Sequence, residues 1–374
     1  AAYGADYLAR NNVRDFAQIA NSIPNVRAPD GLNGISNVSI RGISSPSRGG
    51  AGVEQPVGTY LDQVFAGNSV LGSQIFDIQQ VEVVRGPQGT LFGRNTAAGA
   101  ISFTSARPSL DLEGYVESEV GNYALRSIKG AVSIPVVDDK LAVRIAGTHL
   151  ERDGYIRRLS GGTLGIKNDD AVRVSVVAKP IDELKITIIG SYADEKGSQP
   201  LALFISGPPS FTLGNTGRVR AGDVNDFGFS QTNVGSLTGI IDYQLGRYTI
   251  SSITGYRSLE SSGIFDEDQT TQDIFTSRTG KLDVPDKGEQ FSQELRVSSP
   301  TGGIFDFTTG LYYYSLQEQA STISSYGTVL TGILVDAGEI PPSFARFQTS
   351  ERRRSTVKSY AWYGQGNIHL SDNL

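Results

Sequence analysis

Few residues of this chain are placed for covalent chemistry. Of its 374 residues none is cysteine and two, His149 and His369, are histidine. Disulfides, zinc–thiolate sites and a cysteine nucleophile are thereby excluded together. The two histidines fall on separate expected strands, where a single imidazole serves as a hydrogen-bonding wall residue. Aspartates and glutamates are scattered without the fixed spacing of a calcium loop. Asp223-Val224-Asn225-Asp226 reads as a solvated loop. No pair of carboxylates stands out as the acid and nucleophile of a glycosidase. The Gly-rich run from Gly86 to Gly99 lacks the Gly-Lys-Ser/Thr ending of a phosphate-cradling loop. No catalytic residue, resident metal or cofactor is expected, and the chain is not expected to be an enzyme.

The elements that carry these residues fall into two textures. Up to about residue 109 the chain mixes short segments. Val13, Phe16, Ala17, Ile19, Ala20 and Ile23 recur at helical spacing and Pro24 ends the run. Short apolar strands follow near Val38–Ile40, Val57–Leu61, Val81–Val84 and Ala100–Phe103, with Ile75, Phe76 and Ile78 expected in a helical turn before the third. Gly-, Ser- and Asn-rich loops separate them.

From about residue 112 long strands of period 2 take over. Leu141, Val143 and Ile145 alternate with Ala142, Arg144 and Ala146; Val172, Val174 and Val176 alternate with Ala171, Arg173 and Ser175. About ten such strands are expected, near 113–121, 124–134, 140–150, 170–179, 183–194, 233–245, 247–259, 288–299, 303–317 and 355–371. Their connections alternate between tight turns and long loops, the pattern of an outer-membrane barrel. A soluble sandwich also alternates, but its usual strand is only about 5–6 residues long.

Composition agrees with a barrel. A net charge of −6 and a pI near 5.2 argue against nucleic acid as a partner. A spanning strand needs only about 10 residues, half of them free to be polar, so a slightly negative mean hydropathy of −0.19 is compatible with a membrane-embedded wall.

The run from Phe76 to Ile101, with Val81-Glu82-Val83-Val84-Arg85-Gly86-Pro87-Gln88-Gly89-Thr90-Leu91-Phe92-Gly93-Arg94-Asn95 at its centre, resembles the plug motif of TonB-dependent outer-membrane receptors. Ser39-Ile40-Arg41-Gly42 and Val57-Gly58-Thr59-Tyr60-Leu61-Asp62 resemble two further plug motifs. Phe291-Ser292-Gln293-Glu294-Leu295-Arg296 and Gly310-Leu311-Tyr312-Tyr313 resemble barrel strands of that family. Glu82, Arg85, Gly86, Pro87, Gly89, Gly93, Arg94 and Asn95 carry the central motif. Its glycines allow tight turns and Pro87 stiffens one of them.

The resemblance implies an all-β transmembrane barrel of antiparallel strands with an N-terminal α+β plug in its lumen. Residues 1–109 would be the plug and 110–374 the N-terminal part of the barrel. Ten strands about 4.8 Å apart and tilted about 40° enclose too narrow a lumen for such a plug, whereas roughly 22 fit it. Some twelve strands are therefore expected after Leu374, and a TonB-gripped segment before Ala1.

The resemblance further implies import of a scarce nutrient across the outer membrane of a Gram-negative bacterium, with TonB moving the plug. The ligand would be a small nutrient such as a metal chelate, a saccharide or an aromatic compound, and lipid would surround the wall. Ser44, Ser45, Ser47, Arg48 and Gln55 are candidate ligand contacts in an apical plug loop. Arg41 and Arg85 would lock the plug against a wall glutamate, with Glu294 the candidate partner because it shares a face with Ser292 and Arg296. The competing class is an adhesin or structural barrel without transport, which would need no plug.

Overall fold

The computed structural model describes residues 1–11, 13, 16–28, 38–44, 55–67, 74–86, 89, 95–158, 161–198, 221–222, 228–266, 275–279, 286–326 and 347–369. Among them no helix is long and apolar enough to cross a membrane.

The N-terminal part is built on a five-stranded sheet in the order Ala2–Gly4, Ile78–Arg85, Gly99–Ser105, Val57–Leu61, Val64–Phe65. Its one parallel pair, Val57–Leu61 with Gly99–Ser105, needs a crossover, and the Ile78–Arg85 strand lies within that connection. The helical run expected from Val13 to Ile23 contains the helix Phe16–Asn21, and a second short helix, Ala5–Arg10, precedes it where none was expected. Phe16, Ile19, Ile40, Val81, Ile101 and Phe103 form the core, all within a few per cent of full burial. Phe16 meets Phe103 edge-on, with ring centroids 5.7 Å apart. Burying side chains of this size contributes about 1.5–3 kcal/mol each relative to exposure.

Beyond Glu113 the chain forms ten long strands in an antiparallel meander. They are Glu113–Gly121, Leu125–Val137, Leu141–Arg152, Lys167–Ile181, Leu184–Ser198, Phe229–Leu245, Tyr248–Asp266, Asp286–Ser298, Phe305–Tyr326 and Phe347–Ile368. Each overlaps a strand expected from alternation, and several run further, up to 22 residues. A short strand, Phe275–Thr279, pairs with the far ends of Tyr248–Asp266 and Phe305–Tyr326. Turns at 138–140, 182–183 and 246–247 lie on one rim; the long connections lie on the other.

The distribution of polarity over this sheet decides its environment. On the face turned to the N-terminal domain lie small and polar residues: Ala142, Ala146, Ser133, Ser175 and Arg173 are all at most 2% exposed. The opposite face carries the apolar set, and none of the described residues packs over it. Val116 is 76% exposed, Trp362 75% and Leu311 58%. A soluble sandwich would bury that apolar face against a second sheet; here the polar face is buried and the apolar one bare, as lipid requires.

Strand register also aligns polar residues on the outer face. Pairing runs His149, Asp170, Asp194, Asn233, Glu260, Lys287, Gln319 and Arg354 along one line across eight strands, a line that climbs the wall because the strands are tilted. His149 bonds Asp170 at 2.8 Å, and Lys287 bonds Glu260 at 2.6 Å. Beyond Asp170 on the Lys167–Ile181 strand, the outer face is Val172, Val174 and Val176. From Asp170 to Pro180 a tilted strand descends roughly 25 Å, the height of the lipid-facing band of such barrels.

Candidate functional site

The N-terminal domain touches the wall through two short segments. The first is Gln74-Ile75-Phe76-Asp77, just before the Ile78–Arg85 strand. It is an irregular bend, not the helical turn its spacing suggested. Asp77 has φ +49°, left-handed space that aspartate tolerates better than most residues. Three arginines on three wall strands bind this bend.

Arg144 donates from Nε to Asp77 Oδ2 at 2.8 Å and from Nη2 to Oδ1 at 2.6 Å; the Tyr115 hydroxyl donates to Oδ1 at 3.3 Å. Both charged side chains are more than nine-tenths buried. Arg173 donates to the carbonyls of Phe76 (2.7 Å) and Gln74 (2.8 Å) and lies over the Phe76 ring, 4.5 Å from its centroid. Arg257 donates to Gln74 Oε1 at 3.2 Å. Beneath Phe76 the wall offers Ala131, Ala146, Ala171 and Ala193, four small side chains on four strands. Alanines there leave room for one aromatic ring, and the planar guanidinium caps it. A desolvated Arg–carboxylate pair costs several kcal/mol to break from one side, because the remaining charge stays buried.

The second contact is a hairpin. Asp62 (φ +51°) and Gln63 (φ +70°) form the two-residue left-handed turn that joins Val57–Leu61 to Val64–Phe65. Asp62 turns inward: its carboxylate accepts from the Ser105 amide (3.0 Å) and hydroxyl (2.9 Å) and pairs with Arg107 at 3.0 Å. Gln63 accepts from Arg296 at 2.6 Å, and the Phe65 carbonyl accepts from Gln290 at 2.5 Å. Val64 packs on Ile240 and Ile253, while Tyr60 and Phe65 pack on Tyr314. Gly255 lies under Val64; a Cβ there would collide with the valine and come within 2.8 Å of Ser292 Oγ.

The residues singled out from sequence are arranged differently from the expected lock. Glu294 does face the N-terminal domain's side of the wall, in line with Gln290, Ser292 and Arg296. Its carboxylate, however, is taken by Tyr363 (2.5 Å) and Arg296 (3.3 Å), both wall residues. Arg85 donates to the Pro24 carbonyl at 3.4 Å, within its own domain. Arg41 sits exposed at a two-residue turn with Gly42 (φ +54° and +80°), its amide bonded to Asn25 O. Arg41 and Arg85 are therefore not brought to Glu294. The reason is local: Arg296 is the same-face neighbour of Glu294 two residues along the strand and reaches it first. The wall arginines supply the charge-assisted contacts that plug arginines were expected to make.

Within the central motif, Glu82 accepts from Gln80 at 2.7 Å. Gly86 has φ +99°, closed to most side chains, and its amide bonds Ala98 O at 2.9 Å. A Cβ at Gly89 would meet nothing within 4 Å. Asn95 has φ +62° and a buried Oδ1 without a partner. Ser44 is exposed at the end of a short strand, and Gln55 holds a buried, unpartnered Oε1. Pro87, Gly93, Arg94, Ser45, Ser47 and Arg48 lie outside the described residues, as do residues 223–226. His149 and His369 bond Asp170 and Asp306, on separate parts of the sheet. Among the described residues no group of three metal-ligating side chains occurs.

Sequence reasoning missed Arg144, Arg173 and Arg257. The available signal was an arginine alone among small residues on one strand face, as in Ala142-x-Arg144-x-Ala146 and Ala171-x-Arg173-x-Ser175. Small side chains on a strand face mean that another part of the protein comes close, so a charge among them is buried and needs a partner.

Known proteins align with this geometry. Residues 1–100 match the TonB-dependent Receptor Plug Domain. The pesticin receptor of Yersinia pestis is 32% identical over 106 residues, which are 28% of this chain and 15% of that receptor. The ferrioxamine B receptor of Salmonella typhimurium is 35% identical over 71 residues, 19% of this chain and 10% of the receptor. The structure of the ferric yersiniabactin uptake receptor of Yersinia pestis superposes with a TM-score of 0.81 at 19% identity, covering all of this chain and 54% of that one. The ferripyoverdine receptor of the Pseudomonas aeruginosa outer membrane gives a TM-score of 0.73 at 11% identity, over 99% of this chain and 49% of that one. The chain thus spans about half the length of these solved structures, and the matched segments are a small part of the curated relatives. Its fold is a TonB-dependent receptor plug followed by antiparallel strands of the receptors' barrel, the architecture of Gram-negative outer-membrane proteins.

Proposed function

We propose that this chain, a TonB-dependent receptor plug with the barrel strands that follow it, belongs to an importer that carries a scarce nutrient across the outer membrane under the control of TonB. One observation supports the reading most. A domain matching the plug family packs on the polar face of a sheet whose apolar face is bare. An adhesin needs a wall but no stopper, and nothing in the geometry of an adhesin calls for arginines gripping an internal bend.

In this reading the wall holds the plug at Gln74–Asp77 and at the Asp62–Gln63 hairpin, so the closed state stays sealed until force is applied. The loop from Ser44 to Gln55, with Ser45, Ser47 and Arg48, contacts ligand. The ligand is an iron chelate, favoured over a saccharide or an aromatic acid because the relatives are named for such compounds. Import proceeds by conformational change, with no covalent step assigned to any residue of the chain.

The test is uptake of radiolabelled iron chelates by a strain lacking its other receptors, with and without the gene. The reading predicts accumulation that disappears both on deleting TonB and on collapsing the proton-motive force. Uptake that persists without TonB contradicts it.

A further inference from the structure

The strand Phe347–Ile368 has two faces that treat charge differently. Its odd-numbered residues face the lumen, where Tyr363 reaches Glu294. On that face Arg353 is held by Glu351 two residues away, through Nε at 2.5 Å and Nη2 at 3.0 Å. The even-numbered residues face outward. There Tyr360 and Trp362 stand bare on the apolar face, and the Tyr360 ring lies 4.9 Å from that of Tyr313. Arg352, Arg354 and Lys358 share this outer face and are exposed. Among the described residues no carboxylate lies within ion-pair distance of any of them.

The height of these cations follows from the strand itself. Phe347 continues from the long connection 327–346, on the rim opposite the tight turns. Tight turns are periplasmic in outer-membrane barrels, so this end is the outer one. From Ile368 up to Lys358 a strand tilted about 40° climbs roughly 25 Å, the height of a lipid-facing band. Lys358 therefore stands at the top of the band, just beyond Tyr360, where interfacial aromatic rings sit. Arg354 and Arg352 follow within about 15 Å of further rise.

Neighbouring strands change character in the same place. On Phe305–Tyr326 the outer face passes from Leu311 and Tyr313 to Ser315, Gln317 and Gln319, which pair with Lys358, Thr356 and Arg354. Those side chains are neutral and able to donate hydrogen bonds. On Asp286–Ser298, Phe291 gives way to Glu289 and Lys287, and Lys287 is already taken by Glu260 at 2.6 Å. Glu289 is separated from Thr356 by the intervening strand, about 10 Å across, so it bounds the patch without neutralising it.

Arg352 and Arg354 lie roughly 7 Å apart on one face, and like charges so placed repel until an anion comes between them. Guanidinium forks match phosphate oxygens in pairs. A phosphate monoester carries about −1.5 to −2 charges, whereas a zwitterionic headgroup offsets its phosphate with its own ammonium. We infer that Arg352, Arg354 and Lys358 form a docking site for a lipid of the outer leaflet whose headgroup bears phosphate monoesters. The two arginines clasp a phosphate, Lys358 snorkels toward it from the acyl boundary, and the acyl chains lie on Tyr360, Trp362 and Tyr313.

The test is native mass spectrometry of the full, delipidated outer-membrane protein in detergent, titrated with lipid A as the diphosphorylated probe. Each cation at an anionic membrane surface is worth about a fivefold change in affinity. Arg352→Gln, Arg354→Gln and Lys358→Gln should therefore each weaken binding about fivefold, and the triple variant about a hundredfold. Glu351→Gln with Arg353→Gln, on the lumen face of the same stretch, should leave binding unchanged. Lipid A stripped of its phosphates should bind the native protein as weakly as intact lipid A binds the triple variant. Folding of every variant is checked by its heat-modifiable mobility. Equal binding of intact and stripped lipid, or indifference to the triple substitution, overturns the site. Displacement of the lipid by millimolar inorganic phosphate overturns the lipid as occupant in favour of a free anion. All of these outcomes are read without TonB or iron chelate, so they are independent of the import assay.

Discussion

If wall arginines hold the plug, then Asp77 and Arg144 must be energetically coupled, and the size of that coupling follows from their geometry. The pair has two charge-assisted bonds of 2.8 and 2.6 Å and a third contact from Tyr115 at 3.3 Å, with both side chains more than nine-tenths buried. Arg144→Met leaves the aspartate charge buried without its cation, which costs about 3–5 kcal/mol. Asp77→Asn keeps the shape and the tolerance for φ +49°, so its cost falls at the lower end, about 3 kcal/mol. The double variant buries neither charge, and its loss should be smaller than the sum by about 2 kcal/mol.

The assay is the urea concentration at which half of the reconstituted protein becomes conducting in a planar bilayer, a readout of plug unseating. With a slope of about 1.5 kcal/mol per molar urea, Asp77→Asn should lower that midpoint by about 2 M and Arg144→Met by about 2–3 M. A coupling below about 0.5 kcal/mol would show that the pair is incidental to seating.

Three further outcomes follow from the same contacts. Gly255→Ala drives a Cβ into Val64 and should destabilise seating by about 1–3 kcal/mol; Val64→Ala in the same molecule should restore most of it in the urea assay. Phe76→Ala empties the space between the alanine floor and the Arg173 guanidinium and should cost about 3–5 kcal/mol by the same measurement. Val174→Arg, on the exposed apolar face of the wall, should cost about 2–4 kcal/mol of folding into lipid vesicles, measured by urea titration of the vesicle-inserted protein.

The wall was legible in the sequence because period 2 is a strong signal over ten or more residues. Apolar Val172, Val174 and Val176 opposite Ala171, Arg173 and Ser175 already assign two faces. Strand ends were less legible: the Phe347–Ile368 strand begins in the polar run Ser350-Glu351-Arg352-Arg353-Arg354, which carries no apolar alternation and is held by pairing with Phe305–Tyr326. In the plug, helical spacing from Val13 to Ile23 marked the helix Phe16–Asn21, whereas the helix Ala5–Arg10 buries only Leu8 and so carries little apolar periodicity to read.

The anchor was the least legible part. Glu294 and Arg85 were chosen for their motifs, whereas contact depends on which side chains meet across about 70 to 180 residues of sequence, as in Asp77 with Arg144 and Gln74 with Arg257. Strand alternation tells which way Glu294 points, but not that Tyr363, two strands away across Phe305–Tyr326, will already hold it. The informative pattern was compositional: arginines set among alanines and serines on the buried face.

The most direct test of a plug seated against the inner wall is a covalent one. Val64 lies directly against Gly255, so Val64→Cys with Gly255→Cys brings two thiols within reach of a disulfide. In isolated outer membranes treated with a mild oxidant, the account predicts that protease cleavage between the two positions leaves the fragments joined until a reductant is added. Fragments that separate without reductant, when an oxidised control pair on adjacent wall strands stays linked, would contradict it.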